Sequence, residues 1–211
     1  MPCSTDAEQL MKIVLASNNQ KKIKEIKSIL TRIGCEYEVL SLDAIDFHDE
    51  IVEDGNSFEE NALIKARTVS ALGYIGIADD SGLCVDALNG EPGIYSARYA
   101  GEPCNDQKNN EKILSALEGI EDPNRSAAFV SVIACTLPSG KHFTVRGECK
   151  GKMLKSPQGE CGFGYDPLFM PEGFDQTFAE LSFDEKNRIS HRGRALEAFS
   201  KLFPTFIQEN Q

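Results

Sequence analysis

Two adjacent carboxylates, Asp79 and Asp80, stand directly before Ser81 and Gly82 in the sequence. The apolar run that precedes them, residues 74–78 (YIGIA), predicts a buried strand with the carboxylates at its end. Neighbouring side chains of a strand point to opposite faces, so without a kink the two carboxylates cannot both reach one ligand. We therefore expect one carboxylate to face a cleft and the other to support the loop.

A carboxylate at a strand end, beside a glycine that lets another backbone come close, suits metal binding or the abstraction of a proton. Asp-Ser-Gly sequences also form ordinary turns, in which the Asp and Ser side chains bond to their own backbone. The chain that follows favours a functional loop. Residues 89–99 (NGEPGIYSARY) extend it well beyond a simple connector.

Basic residues are concentrated in two short segments, although the formal net charge of the 211-residue chain is −11. The segments contain Lys21, Lys22, Lys24 and Lys27, and Lys186, Arg188, His191, Arg192 and Arg194. The acidic balance disfavours nucleic acid as the main partner, since phosphate contacts need a basic surface. Each segment alone is typical of a solvated helix face, but together they suggest a compact anion such as the phosphates of a nucleotide.

The first basic segment follows a predicted strand and polar turn. Residues 12–16 (KIVLA) form the strand, and apolar residues at helical spacing from residue 23 to residue 33 predict a helix that Gly34 closes. Between them, residues 17–19 (SNN) form a turn and helix cap.

The start of this helix is a candidate anion site. Its free amide groups, the side chains of Ser17 and Asn18, and the charges of Lys21 and Lys22 all lie at the end of the strand. Ordinary capping of the helix is the alternative interpretation.

A second helix follows an acidic loop at residues 43–56. Residues 57–60 (SFEE) predict a capping box, and the helix extends to Leu72. Asn61 and Lys65 are four residues apart and therefore share one face of this helix.

The rest of the pattern predicts a mixed sheet. Asn105 or Asp106 caps a helix that ends at Gly119, and residues 126–136 form the longest apolar strand, with residues 142–149 as its antiparallel partner. Strands that both alternate with helices and form a hairpin indicate an α/β fold, with a mixed twisted sheet and flanking helices. The chain contains no linker, so we expect one domain over residues 1–211.

A second glycine-rich loop, residues 159–169, carries two aromatic side chains, Phe163 and Tyr165, followed by Asp166. An aromatic pair on such a loop can stack on a purine. Further along, residues 182–185 (SFDE) predict a capping box, and the helix breaks and restarts at residues 190–193 (SHRG).

Five segments of this sequence resemble the Ham1/RdgB family, also called the inosine triphosphate pyrophosphatase family. They are SNNQKK (17–22), ENALIKA (60–66), the region 77–101, GFGYDP (162–167) and EKNRISHRG (185–193). The resemblance extends over about residues 12–203. The last two motifs separate the chain from the related Maf-like pyrophosphatases, which act on pyrimidine nucleotides.

The resemblance implies an enzyme that hydrolyses ITP, dITP and XTP to the monophosphate and pyrophosphate, with Mg²⁺ as cofactor. It also implies a cytoplasmic homodimer and an elongated fold, with two lobes around a central cleft. We expect a small-molecule nucleoside triphosphate to be the substrate.

The resemblance also implies roles for individual residues. Asp80 would be the general base or the metal-bound activator of the attacking water, and Glu53 would share the metal, with Asp54 and Glu60 close enough to compete. The remaining residues would bind the substrate: Ser17, Asn18, Asn19, Gln20, Lys21, Lys22, Lys65, Ser81, Phe163, Gly164, Tyr165, Asp166, Lys186, His191 and Arg192. Among these, His191 and Arg192 would donate to the 6-oxo group of hypoxanthine.

Other classes of protein fit the sequence less well. The seven cysteines are scattered and never form a CxxC pair, so neither a zinc site nor a disulfide framework is indicated. No apolar run is long enough for a membrane helix, and the first residues lack the pattern of a signal peptide, so we expect an intracellular protein.

Two alternatives to the pyrophosphatase remain. An aspartic-protease-like hydrolase would use the Asp-Ser-Gly turn, but that chemistry needs a second carboxylate that shares a proton. No second D-[ST]-G occurs in this chain, so a dimer would have to supply it. A nucleotide-binding module without catalysis would bind without Mg²⁺ and release no pyrophosphate.

Overall fold

A computed structural model of the protein describes residues 12–17, 19–32 and 37–210. Within these residues one sheet of six strands forms the centre of the fold. The strands are β1 (Ile13–Leu15), β2 (Val39–Ser41), β3 (Ile75–Val85), β4 (Ser126–Thr136), β5 (His142–Met153) and β6 (Phe169–Pro171). Their order across the sheet is β2-β1-β3-β4-β5-β6.

The sheet is mixed, as the sequence predicted. β1 pairs in parallel with β2 and β3, whereas β3, β4, β5 and β6 pair antiparallel in succession. β1 pairs with β3 from Ile75 to Ile77, where β1 ends. In the described part of the chain, β1 therefore does not cover the edge of β3 at the residues that follow. Those next residues include the two adjacent carboxylates.

The predicted end of β3 is wrong. The strand continues through Asp79, Asp80, Ser81 and Gly82 to Val85, so both carboxylates lie within it. The cause is the pairing with β4, which is continuous in register from Gly76 to Val85 and binds the backbone whatever the side chains are. The polar residues that end the apolar run therefore do not end the strand.

Five helices flank the sheet in the described part of the chain. They are α1 (Gln20–Arg32), α2 (Phe58–Ser70), α3 (Asp106–Ala116), α4 (Phe183–Ile189) and α5 (His191–Asn210). The predicted close of the first helix at Gly34 falls outside the described residues. None of these helices combines the length and the apolar character that a membrane crossing requires.

The helix ends follow the predicted caps, with one exception. The capping box at Ser182 is complete, and Ser190 separates α4 from α5 in extended geometry. At Ser57 the side chain accepts the Glu60 N–H at 3.1 Å, but the Glu60 carboxylate bonds to the N–H of Asn56 at 2.6 Å. In the predicted capping box, the Glu60 carboxylate would instead accept the N–H of Ser57.

One face of the sheet carries two separate apolar clusters. Ile75 and Ile77 of β3 belong to the first cluster, with α1 and α5, whereas Leu83 and Val85 belong to the second, with several phenylalanines. Strand alternation places Asp79 and Ser81 on the same face, between the clusters. The opposite face of β3 packs against α2.

Asp79 and Ser81 form a polar interval between the two clusters, and this polar interval continues across the neighbouring strands. Ser131 of β4 is the partner of Ser81, and Gly147 of β5 is the partner of Ser131. A Cβ atom on Gly147 would lie 2.2 Å from the carbonyl oxygen of His191 and 2.4 Å from the backbone nitrogen of Ala195. The first turns of α5 therefore rest directly on the backbone of β5, close to the carboxylates.

Replacing Gly147 with alanine should lower the free energy of unfolding by about 1–3 kcal/mol, because the added methyl group forces α5 away from β5. Urea unfolding of the variant measures this change. Lys152→Ala, an exposed position on the same strand, is the control and should change stability by less than about 0.5 kcal/mol. Equal stability of the two variants would contradict the packing described here.

Candidate functional site

The two carboxylates of β3 are both buried and point to opposite faces of the sheet. On the face of α1 and α5, one Asp79 oxygen lies 2.6 Å from Lys22 Nζ and accepts the Ser81 hydroxyl at 3.2 Å. The other oxygen accepts the Ser131 hydroxyl at 2.5 Å and lies 3.6 Å from Arg192 Nε. Asp79 is thus surrounded by groups from α1, α5 and two strands.

These partners keep Asp79 ionised. Burial alone would raise the pKa of Asp79, but the Lys22 ammonium and the Arg192 guanidinium together lower it well below its usual range. A carboxylate with so low a pKa is a poor base. Its contacts instead fix the positions of Lys22 and Arg192.

Asp80 lies on the face of α2 and has a different environment. Lys65 Nζ is 3.1 Å from one Asp80 oxygen and 2.8 Å from a Glu53 oxygen, so a single ammonium joins the two acids. The second oxygen of Asp80, Oδ2, is buried and has no hydrogen-bond partner among the described residues. Burial raises the pKa of Asp80, and although Lys65 opposes this rise, Glu53 adds to it. Asp80 is therefore the better proton acceptor of the pair.

The start of α1 lies beside Asp79. The Asn19 N–H donates to the Ser17 hydroxyl at 3.2 Å, and the Lys22 N–H donates to the Asn19 side chain at 3.3 Å, which are ordinary capping contacts. Gln20 is the first residue of the helix and is exposed. Asn18 and the side chain of Lys21, two further predicted site residues, lie outside what the structure describes. Capping and an anion site are compatible here, because Asn19 and Gln20 are exposed at the start of the helix.

The second glycine-rich loop reaches the same region through the side chains of Phe163 and Asp166. Phe163 is half-buried, with Lys186 Nζ at 4.8 Å and Arg192 Cζ at 6.0 Å from the centre of its ring. Asp166 accepts both Lys186 Nζ (2.5 Å) and the Phe163 N–H (2.8 Å). Arg192 also donates to the Ser81 hydroxyl at 3.0 Å, which joins the loop to β3.

The prediction that both aromatic rings of this loop can stack on a purine is wrong for Tyr165. Its ring is only 3% exposed and packs in the second apolar cluster. Its hydroxyl donates to the carbonyl oxygen of Ser96 at 2.8 Å, and burial raises its pKa. Phe163 is the one ring of this pair that remains accessible.

His191, the first residue of α5, is buried against Phe129, with ring centres 4.8 Å apart and planes inclined by 12°. Its Nδ1 atom has no hydrogen-bond partner in the described part of the chain. Burial lowers the pKa of His191 well below its usual value, and the positive charge of Arg192 lowers it further. The ring is therefore neutral at physiological pH.

Comparison with known proteins identifies the family of this chain. The model of the Ham1 family matches residues 13–202 of the chain. The chain belongs to the Ham1 family. Its resemblance to that family in the sequence is thereby confirmed, as is the predicted α/β fold class.

Solved structures of Ham1 proteins have the same fold. A Ham1 protein from Coxiella burnetii superposes with a TM-score of 0.86 at 40% identity, covering 92% of this chain and 99% of that one. The Staphylococcus aureus Ham1 protein gives a TM-score of 0.83 at 41% identity, covering 95% and 100%. A Bacillus subtilis relative named dITP/XTP pyrophosphatase is 50% identical over 190 residues, which are 90% of this chain and 95% of the relative.

Two residues of the site in this Ham1-family chain were not predicted. Ser131 bonds to Asp79, yet it lies in the long apolar strand at residues 126–136, where no site residue was predicted. A hydroxyl in an otherwise apolar strand was the available signal, since buried polar groups need partners. Phe129, which stacks on His191, gave no such signal because phenylalanine is common in any buried strand.

A cavity of about 680 Å³ lies elsewhere on the sheet, with Asp86, Lys150, Met170 and Phe174 among its lining residues. None of the predicted site residues lines it. The buried carboxylates of β3 and their partners therefore lie outside this cavity.

The neutral state of His191 predicts a pH dependence of stability. The unfolded chain takes up a proton at this residue below pH 6.5 and the folded chain does not, so stability is lost as the pH falls below 6.5. The slope from this one group reaches at most about 1.4 kcal/mol per pH unit. His191→Phe, which keeps a ring against Phe129, should flatten the dependence between pH 5 and 6.5.

Urea unfolding across this pH range measures the effect as a difference between wild type and variant. His142→Phe, at an exposed position, is the control and should leave the dependence unchanged. Identical pH profiles for wild type and His191→Phe would contradict a neutral buried histidine.

Proposed function

We propose that the protein is a nucleoside-triphosphate pyrophosphatase that hydrolyses non-standard purine nucleotides, namely ITP, dITP and XTP, to the monophosphate and pyrophosphate. The name of the Bacillus subtilis relative supports this substrate class. The observation that carries the proposal is the buried oxygen of Asp80 that has no hydrogen-bond partner among the described residues, beside a lysine that already joins two carboxylates. Such an oxygen is available to a proton, a water molecule or a cation.

The triphosphate would be bound by Lys22, Lys65 and the amino end of α1. Lys22 and Lys65 come from different helices, and Lys65 is close enough for its charge to contribute, after that of Arg192, to a lowered pKa of Lys22. Burial is the main cause of that lowered pKa, and Asp79 opposes it. Preorganised cations of this kind offset charge on phosphate oxygens in the transition state. Ser17, Asn19 and Gln20 would add polar contacts at the helix end.

Glu53 and Asp80 would hold a Mg²⁺ ion. They fit this role because an ammonium already lies between them and because Asp80 Oδ2 has no partner within the part of the chain that the structure describes. The described residues contain no cluster of three or more metal-binding side chains. That is consistent with Mg²⁺, which usually binds one or two carboxylates and takes its other ligands from phosphates and water. When bound, the ion would neutralise phosphate charge and acidify water.

Asp80 would act as the general base. Its raised pKa brings it closer to the working pH, where a base is most effective. The carboxylate takes a proton from water as the water oxygen bonds to the α-phosphorus. The bond from this phosphorus to the bridging oxygen breaks, and pyrophosphate leaves with the electron pair.

The purine ring of the nucleotide would lie against Phe163, with Lys186, His191 and Arg192 close to the edge of the purine. Asp166 fixes Lys186, and the stack on Phe129 fixes His191. These side chains donate hydrogen bonds, which suits the 6-oxo group of hypoxanthine and xanthine and does not suit the 6-amino group of adenine. Ser81, between Arg192 and Asp79, would contact a phosphate or the ribose.

The wider features implied by the family belong to the same proposal. The nucleotide would lie along the polar interval between the two apolar clusters, which we take as the two expected lobes. Its triphosphate would cross the edge of β3 beyond Ile77, where the pairing with β1 ends, to reach Lys65 and Asp80 on the opposite face of the sheet. The active form would be a cytoplasmic homodimer.

The aspartic-protease alternative has little support from the geometry. Asp79 and Asp80 face opposite sides of β3, and Asp80 and Glu53 are joined by an ammonium, so neither pair shares a proton.

Asp80→Asn should reduce dITP turnover by at least about a hundredfold, because the amide can neither accept the proton nor hold the metal. Pyrophosphate release from a panel of nucleoside triphosphates, with and without Mg²⁺, measures this. Asp86→Asn, at an exposed position just after β3, is the matched control and should retain activity. Near-normal turnover by a folded Asp80→Asn protein would remove Asp80 from the mechanism.

Arg192→Ala should narrow the preference for ITP over ATP, because a donor to the 6-oxo group is lost. The quantity to compare is the ratio of kcat/KM for the two nucleotides, expected to fall roughly tenfold for one charged hydrogen bond. Using the ratio cancels any general effect on stability. An unchanged ratio would mean that the 6-oxo group is read by other residues.

A further inference from the structure

The backbone of Gly164, next to Phe163, is held by helix α3. Its N–H donates to the Asp106 carboxylate at 2.8 Å, and its carbonyl oxygen accepts the Asn110 side-chain amide at 3.0 Å. The two residues are one helical turn apart at the start of α3, so both reach the same peptide. Gly164 has a φ of +60°, a conformation that glycine adopts without strain.

Helix α3 is itself connected to β3 by hydrogen bonds. Asn109 is buried, donates to the carbonyl oxygen of Ala97 at 2.9 Å and accepts the Ala100 N–H at 2.7 Å. In the same turn, the Ser96 hydroxyl accepts the Leu83 N–H of β3 at 2.8 Å. A short series of hydrogen bonds therefore connects β3, the turn at residues 93–98, α3 and the loop that carries Phe163.

The loop needs such support because its own sequence favours disorder. Gly159, Gly162 and Gly164 all have positive φ, and glycine loses more conformational entropy on ordering than other residues. If the loop were free, the cost of ordering it would be subtracted from the affinity for the nucleotide. Fixing it in the free protein removes that cost.

We propose that Asp106 and Asn110 are positioning residues, which hold the Phe163 loop in the conformation that receives the purine. Neither residue belongs to a motif of the family resemblance, and neither contacts the carboxylates of β3. The inference rests on the proposed function, because it assumes that Phe163 contacts the base.

The orientation of Asn110 makes the proposal specific. Its nitrogen faces the Gly164 carbonyl, and its Oδ1 is buried without a hydrogen-bond partner in the described part of the chain. The amide nitrogen of Asn110 is thus the atom that holds the backbone of Gly164. Asp106 acts only as an acceptor towards Gly164, so Asp106→Asn can keep the bond through its amide oxygen.

The test compares Asp106→Ala and Asn110→Ala with wild type in their use of ITP and in their binding of tripolyphosphate, which has no base. Losing one of these hydrogen bonds should raise KM for ITP by roughly fivefold. We expect kcat to stay within about twofold, since the groups at the phosphorus are untouched. The inhibition constant of tripolyphosphate should not change.

Two further variants serve as controls. Asp106→Asn should restore a KM close to that of wild type. Glu111→Ala, an exposed position on α3 whose carboxylate accepts the side chain of Gln107, should behave as wild type. Hydrogen exchange provides a readout without substrate: Asp106→Ala and Asn110→Ala should speed exchange in residues 159–165 and leave residues 75–85 as protected as before.

The possible failures are distinguishable. Unchanged exchange in residues 159–165 for both alanine variants would overturn the positioning role. A parallel rise in KM for ITP and in the inhibition constant of tripolyphosphate would also overturn it, because it would indicate a general structural defect. A wild-type protein that does not hydrolyse ITP would count against the proposed function, while the exchange data would still decide the role of α3.

Discussion

A carboxylate buried away from water is destabilising unless cations and hydrogen bonds are buried with it, and β3 buries two in succession. Because the strand alternates, each carboxylate must be neutralised on its own face of the sheet. Lys22 and Arg192 meet this need for Asp79, and Lys65 meets it for Asp80. Neutralising the two buried carboxylates thus brings cations from three helices to the middle of the sheet.

The same alternation separates the behaviour of two identical side chains. Asp79 has two cationic partners and a lowered pKa, whereas Asp80 has one lysine, shared with Glu53, and a raised pKa. Environment, not residue type, assigns them different roles, which is a common arrangement at catalytic sites. In this protein one acid holds Lys22 and Arg192 in place, and the other keeps an oxygen that has no hydrogen-bond partner in the described ranges of the chain.

Local patterns in the sequence predicted most of the elements. The strand Ser126–Thr136, the capping box at Ser182 and the break at Ser190 are all observed. Two of the errors involve tertiary contacts: pairing with β4 carries β3 past Ala78, and the second apolar cluster takes up the ring of Tyr165. Neither the register of a distant strand nor the competition between core and solvent for one ring can be read from neighbouring residues.

The account depends on one nucleotide spanning the site from α1 to the loop at Phe163. A crystal structure with a non-hydrolysable inosine triphosphate and Mg²⁺ tests this most directly. We predict a triphosphate within hydrogen-bond distance of Lys22 and Lys65, and a base against Phe163. A nucleotide found instead in the cavity beside Asp86 and Phe174, with Asp80 untouched, would contradict the account.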